Sequence, residues 1–300
     1  GEVAKATGET VDQVRTRLGK RGIKALPRRM SPTVPHLLKS LPVDAGFDAD
    51  AGLAFVELEN GRRFYGHPSR PNHVKQHGAI ADLLPDFLTA DTFLTAIDVV
   101  HRYCADETVP LDLLPTNGDA IVEVGAFLGH KAQWMMDQTE GRSPLVALEI
   151  EPTNFEIMQR NFACNNADNA VALWKGAWNE RSTLRLMGKG RQRNSIVTID
   201  GGRLDDDMGI DVPMDRLDRV LPPVLNGTPI GFMYVSVNGA EIEALEGLAG
   251  IASEVRSIRV ATPYSRDGAR ISARVQQQLL DYGFELDDRT TKGRAIGVRP

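Results

Sequence analysis

Ile121-Val-Glu-Val-Gly125-Ala-Phe-Leu-Gly129-His130, followed by Leu145-Val-Ala-Leu-Glu149, reads as an apolar strand, a glycine turn, a helix and a second strand ending in a carboxylate. A parallel strand covered on both faces is a near-continuous apolar run. Glycine lets backbone N–H groups approach a ligand where a Cβ would collide. Glu149 follows the turn by about 20 residues, the separation at which an acidic side chain accepts the hydroxyls of a ribose. The glycines run Gly-x-x-x-Gly and not Gly-x-Gly-x-x-Gly, so a mononucleoside fits better than a dinucleotide. Close packing of helix on sheet accounts for the same glycines, and the neighbouring segments decide between the two.

With 300 residues, 42% hydrophobic and 25% charged, the chain can bury a sizeable core and is expected to hold one large domain and a smaller one. A formal net charge of -5 argues against broad binding of a phosphate backbone, although a local basic patch is compatible with it. No apolar run approaches the roughly 20 residues of a membrane span, and no signal-peptide pattern is visible, so a cytoplasmic protein without membrane contact is expected. The start at Gly1 suggests processing or truncation. Cys104 and Cys164 are the two cysteines and read as reduced thiols; no metal site is expected.

Glu2 to Gly22 read as two short helices around Thr7-Gly8-Glu9-Thr10, with Ala4, Gly8 and Val14 at the spacing of a helix-turn-helix and Arg15, Arg17, Lys20 and Arg21 behind the turn. Arg17 falls where a second apolar core residue is usual, so a helical pair packed on its neighbour, with the arginines as a solvated face, is preferred to a DNA-reading head. Pro27, Pro32, Pro35 and Pro42 mark a linker or irregular segment. Asn60-Gly61 between two strand-like runs over 53–65 signals a hairpin. Phe93, Ile97, Val100 and Tyr103 share one face of a helix from about residue 90 to 103. The boundaries expected are an accessory region over 1–90, holding the helix pair and the hairpin, and a cofactor-binding domain over 91–300.

Beyond Glu149, helix and strand alternate: helix 154–165, strand 170–175, strand 232–237, helix 240–248, strand 257–261 and helix 270–282, closed by strand-like runs 283–286 and 295–298. The fold class is therefore α/β, a Rossmann-like doubly wound sheet with right-handed crossovers, its ligand outside the carboxyl ends of the strands. No long helix separates the last two runs, so an antiparallel edge hairpin is expected, an ending that separates methyltransferase sheets from dehydrogenase sheets. The segment 179–226 exceeds an ordinary connection and is expected to form a lid or an added hairpin. In it Arg181, Arg185, Arg191 and Arg193 either attract an anionic acceptor or are solvated.

Over roughly Gly118 to Val298 the chain resembles the FkbM family of S-adenosylmethionine-dependent methyltransferases. Four blocks carry the resemblance: Val122-Glu-Val-Gly125-Ala-Phe-Leu-Gly129; Ala147-Leu-Glu149-Ile-Glu-Pro152-Thr-Asn154-Phe155 with Asn161; Val212-Pro-Met-Asp-Arg-Leu217-Asp218; and Phe232-Met-Tyr-Val-Ser236-Val-Asn238-Gly239-Ala240-Glu241. The order and spacing of four blocks are more specific than any one. The resemblance implies a class I methyltransferase fold, S-adenosylmethionine as cofactor and transfer of a methyl group, in described members mainly to hydroxyls on sugars or natural products. The fourth block departs from the family, which carries Lys, Asp and Glu where this chain has Tyr234, Ser236 and Asn238. A site that used Asp and Glu to hold a cation or take a proton cannot do so with a hydroxyl and an amide.

Cofactor contacts are expected from Glu123 and from the turn residues Gly125, Ala126, Phe127 and Gly129. Glu123 receives the cofactor's ammonium group or orders the turn. Glu149 grips the ribose with Ile150 beside it, and Ala177 and Trp178 lie where this fold receives adenine, although a large aromatic at a strand end is more often core. Methyl transfer from a sulfonium draws on orientation and, for a hydroxyl acceptor, on a base. The candidates are His130, which titrates near neutral pH, and the acceptor-facing Ser236, Asn238 and Glu241; each also has a structural explanation, for Glu241 a carboxylate at a helix start. Tyr264 and Arg266 line the acceptor pocket or an exposed loop. The expected function is methylation of a hydroxyl, less favourably an amine, of a small molecule or saccharide. The alternative is a methyltransferase-fold binding or regulatory protein whose altered fourth block no longer catalyses, joined to a DNA-binding-like helix pair. A nicotinamide dehydrogenase is disfavoured by the incomplete glycine pattern and the closing strand pair. Acceptor and oligomeric state are not read from the sequence.

Overall fold

The computed structural model describes residues 42–68, 92–103, 108–188, 194–197 and 207–299. Two compact units divide the chain, Gly1–Glu107 with Ala163–Asn166 and Thr108–Phe162 with Ala167–Pro300. In the first, β1 (Pro42–Asp48), β2 (Leu53–Leu58) and β3 (Arg63–Gly66) form an antiparallel sheet in that order. Asn60-Gly61 turns β2 into β3 as expected. Ala54, Val56, Leu58 and Phe64 are buried at alternate positions, the pattern of a half-buried sheet. β1 was not expected, because Pro42 reads as a breaker; at the first position of an edge strand its missing N–H is not needed by the ladder. Helix α1 (Phe93–Tyr103) packs on β2 and β3, and Phe64 meets Tyr103 at a ring-centroid distance of 4.9 Å. This helix is thus grouped with the first unit. The helix pair expected over 2–22 lies outside the described residues.

The second unit runs through β4 (Ala120–Val124), α2 (His130–Gln138), β5 (Leu145–Glu149), α3 (Pro152–Cys164) and β6 (Ala170–Trp174). β7 (Gly176–Ala177) follows, and the segment expected as a lid or hairpin holds β8 (Ser182–Met187) and β9 (Asp207–Asp215), then the short helices α4 (Leu217–Val220) and α5 (Pro222–Leu225). β8 and β9 pair as an antiparallel hairpin, and β7 joins β9 in parallel. The chain continues through β10 (Ile230–Val235), α6 (Glu241–Glu246), β11 (Val255–Ala261), the two-residue strands β12 (Ser265–Arg266) and β13 (Ala269–Arg270), α7 (Ser272–Asp281), β14 (Glu285–Leu286) and β15 (Arg294–Val298).

Seven of these strands make one sheet in the order β14-β15-β11-β10-β4-β5-β6. The five from β11 to β6 are parallel, while β15 is antiparallel to β11 and β14 antiparallel to β15. Every residue of β4, β5 and β10 is buried, as a strand covered on both faces requires. Along the chain the sheet grows from β4 toward β6, then resumes on the other side of β4 with β10. That reversal is a topological switch point, where ligands of open α/β sheets bind outside the carboxyl ends of the strands. The strand order with its antiparallel closing pair is the α/β class I methyltransferase fold, including the expected edge hairpin.

Candidate functional site

The turn after β4 is tied to the tip of β5. The amides of Gly125 and Ala126 both donate to the Leu148 carbonyl at 2.9 Å, and Phe127, at a φ of 55°, donates its N–H to Glu149 Oε2 at 2.7 Å. Glu149 Oε1 accepts from Glu151 N at 2.9 Å. The Asn154 side chain also hydrogen-bonds this carboxylate. A carboxylate offers about four acceptor directions, so the protein takes three and about one is left for a ligand hydroxyl. Burial pushes the Glu149 carboxyl up to about 7, against the opposing pull of the two backbone N–H bonds. A Cβ on Gly125, at a φ of 84°, would run into the Ser236 carbonyl, and one on Gly129 would lie 2.9 Å from Met158 and Phe162. The space beside both glycines is thus taken by protein, which is their close-packing role. Asn161 on α3 supports the turn by donating to the Leu128 carbonyl at 2.8 Å. Glu151 caps α3, accepting from Thr153 N at 3.2 Å and Asn154 N at 2.7 Å.

On the other side of Glu149, Ile150 and Trp178 pack together on the apolar nucleus Leu186, Val212 and Met214 of the hairpin. Ala177 is buried in β7, and the Trp178 N–H donates to the Asp215 carbonyl at 2.9 Å. That amide is occupied by pairing with the end of β9 and is not available to a ligand. Arg185 of the hairpin pairs with Asp211 at 3.0 Å, while Arg191 and Arg193 lie outside the described residues.

The residues expected to face the acceptor are largely committed to the protein. Asn238, at a φ of 53°, donates from Nδ2 to the Asn194 carbonyl at 2.8 Å and accepts at Oδ1 from the Tyr264 hydroxyl at 2.7 Å. Its own carbonyl lies 2.9 Å from the Ser195 hydroxyl. Glu241 is fully buried and accepts from the amides of Val237 at 3.1 Å and Gly239 at 2.9 Å, so it closes the loop that opens α6. Burial raises its carboxyl to about 7 as well. Arg266 grips Glu243 at 2.8 Å and the Gly239 carbonyl at 3.2 Å. Tyr264 and Arg266 therefore brace this loop from the β11 side. His130 is buried in the first turn of α2, and Ser236 is partly buried, its amide held by the Val124 carbonyl at 2.9 Å.

Charge is nevertheless present beside β10. Glu123, Tyr234 and Arg259 are register partners on β4, β10 and β11 and so share one sheet face. Arg259 donates from a terminal nitrogen to the Tyr234 hydroxyl at 2.7 Å with its guanidinium 4.5 Å from the ring centroid, and Lys131 Nζ of α2 lies 3.7 Å from that centroid. All four side chains are buried. Burial pulls Lys131 and Arg259 below their ordinary ranges. It would raise the Tyr234 phenol, but the charges of Lys131 and Arg259 outweigh it and hold the phenol low. Lys131 and Arg259 escaped the sequence reading. Lys131 stands next to His130 and two residues past Gly129, and that adjacency was the available signal. Arg259 was legible only as a lone cation in an apolar strand.

Among the described residues no helix is long and apolar enough to cross a membrane. No protein-family model and no curated protein matches the chain. Among solved structures it is similar to methyltransferase FkbM from Methylobacillus flagellatus, at 15% identity and a TM-score of 0.44, over 66% of this chain and 48% of that one. It is also similar to an O-methyltransferase family protein from Burkholderia thailandensis, at 10% identity and a TM-score of 0.41 over 70% and 59% of the two chains. Fibrillarin from Aeropyrum pernix, solved with natively bound S-adenosyl-L-methionine, matches at 13% identity and a TM-score of 0.37 over 85% and 97%. The chain spans about half the length of the Methylobacillus protein.

Proposed function

We propose that this protein binds S-adenosylmethionine at the tips of β4 and β5 and transfers its methyl group to a hydroxyl of a small molecule or saccharide. The observation that carries the proposal is the buried Glu149 carboxylate at the tip of β5, ordered by Phe127 N, Glu151 N and the Asn154 side chain with about one acceptor direction left for a ligand. A ribose hydroxyl supplies a donor that completes it. Ile150 and Trp178 offer apolar surface for a purine, and Glu123, at the end of β4, offers a carboxylate for an ammonium group. The cofactor, when bound, supplies a methyl carbon made electrophilic by a sulfonium. The protein's part is to hold the two reactants in line and to exclude water.

Binding of S-adenosylhomocysteine by calorimetry tests the proposal. Glu149→Ala removes a charge-assisted hydrogen bond to the ribose and is expected to weaken binding at least about 10-fold; affinity unchanged in that variant refutes the assignment. A second reading, a fold that binds without transferring, draws support from the commitment of Asn238 and Glu241 to protein partners. Retardation of duplex DNA at physiological salt, together with no turnover of the cofactor, would favour it.

A further inference from the structure

We propose that Tyr234, held between Lys131 and Arg259, is the group that accepts the proton of the acceptor hydroxyl, an inference that rests on the methyl-transfer reading above. The fourth block has no carboxylate for this task, since Ser236 and Asn238 stand at the tip of β10 and Glu241 is bound into the backbone of the loop behind it. Tyr234 is the penultimate residue of β10, and the carbonyl of Ser236, the first residue past the strand, abuts the glycine turn at Gly125. A phenol on this sheet face is therefore next to the ends of β4 and β10, where the strand order reverses.

The charge count favours a phenolate. Lys131 from α2 and Arg259 from β11 bring two cations against the single carboxylate of Glu123 from β4. Farther out, Arg294 and Glu241 act on Arg259 with opposite signs, Arg294 the more strongly. With both cations charged and a neutral phenol the cluster carries one net positive charge; ionisation of the phenol removes it, and so would loss of the Lys131 proton, toward which burial pulls that amine. Removing an uncompensated charge from water costs several kcal/mol, and arginine does not give up its proton. The 2.7 Å bond from Arg259 falls on the phenolic oxygen, the atom whose negative charge it can balance. Lys131 sits over the ring face, where ionisation of the phenol strengthens its attraction. The Nε of Arg259 is buried without a hydrogen-bond partner, so its charge is not matched by the neutral groups around it.

In the step proposed, the acceptor hydroxyl's proton passes to the phenolic oxygen of Tyr234 as the acceptor oxygen bonds to the methyl carbon. The electron pair of the breaking carbon–sulfur bond stays on sulfur, which becomes a neutral thioether. Charge balances: the phenolate and the sulfonium are both neutralised.

Tyrosinate absorbance followed against pH tests the inference on the whole protein. One of the five tyrosines should ionise well below the ordinary value of about 10. That early component should vanish in Tyr234→Phe, persist in Lys131→Arg and move back up in Lys131→Met. If Tyr234→Phe removes only absorbance that develops together with the other tyrosines, the inference falls, and this comparison stands whether or not Lys131→Met folds. Calorimetry with S-adenosylhomocysteine on the same preparation separates the failures. Binding without an early tyrosine overturns the proton acceptor alone, whereas an early tyrosine without binding overturns the methyl-transfer reading and the role that depends on it.

Discussion

On the binding proposed above, Glu149 would couple protonation to ligand binding. A carboxyl titrating at about 7 is roughly half protonated at neutral pH, and a ribose hydroxyl that donates to it favours the ionised form. Binding of S-adenosylhomocysteine at pH 7 is therefore expected to release up to about half a proton from this site. Calorimetry in buffers of different ionisation enthalpy measures it, and Glu149→Gln should abolish that share. Gly125 gives a residue-scale test of packing. Gly125→Ala meets both a left-handed φ of 84° and the Ser236 carbonyl, whereas Gly141→Ala, at a φ of 67°, meets open space. Urea unfolding should show a loss of about 3 kcal/mol for the first and about 1 kcal/mol for the second. Equal losses would mean that the approach of β10 to the turn is not what requires glycine. Glu149 and Gly125 were visible as residues in the sequence. That Gly125 accommodates a protein carbonyl was not, because Ser236 is more than a hundred positions away.

At the scale of elements, α3 does two things for the site: its N-terminus is capped by Glu151, and its Asn161 holds the turn through the Leu128 carbonyl. Asn161→Ala leaves a buried carbonyl without a donor and is expected to cost about 2 kcal/mol. It should also weaken S-adenosylhomocysteine binding, because Phe127 N and Glu149 lose their support; a thermal melt and a titration on the same sample check both. Glu151→Ala should lower stability by about 1 kcal/mol, the usual worth of a cap. Elements with strong periodicity or near-continuous apolar runs, such as β4, β5, β10 and α7, fall within a few residues of where the sequence places them. β1 was missed because a proline's effect depends on whether its neighbour strand lies on the N–H side, which is a tertiary fact. The helix expected over 240–248 is only Glu241–Glu246, as a tighter 3-10 segment over Ala249–Glu254 carries the chain into β11.

For the whole molecule, two buried carboxyls set a pH dependence of opposite sign to that of paired surface acids. Glu149 and Glu241 titrate at about 7 in the folded chain and at 4.5 unexposed to that burial, so between those values the native state holds more protons than the unfolded one. Their stabilisation relative to alkaline pH is fully present below the unfolded value and is lost as pH rises through about 7. Urea midpoints of the ligand-free protein should fall more from pH 5 to pH 8.5 than those of the Glu149→Gln, Glu241→Gln double variant, by up to about 3 kcal/mol per carboxyl. Parallel curves would place the two groups in contact with water. By itself the sequence determined the sheet, its closing hairpin, the glycine turn and the acid at the tip of β5, because local periodicity and chain-order spacing encode them. Only the tertiary structure decided which polar groups remain available for chemistry. Asn238 reads as functional until Asn194 and Tyr264, distant in sequence, occupy it, and Glu241 until the loop just before it folds back onto its carboxylate; Lys131, Tyr234 and Arg259 became one cluster only when register across β10 and β11 and the seat of α2 brought their charges together. Charge balance in a buried site depends on distance in space, which no local pattern records.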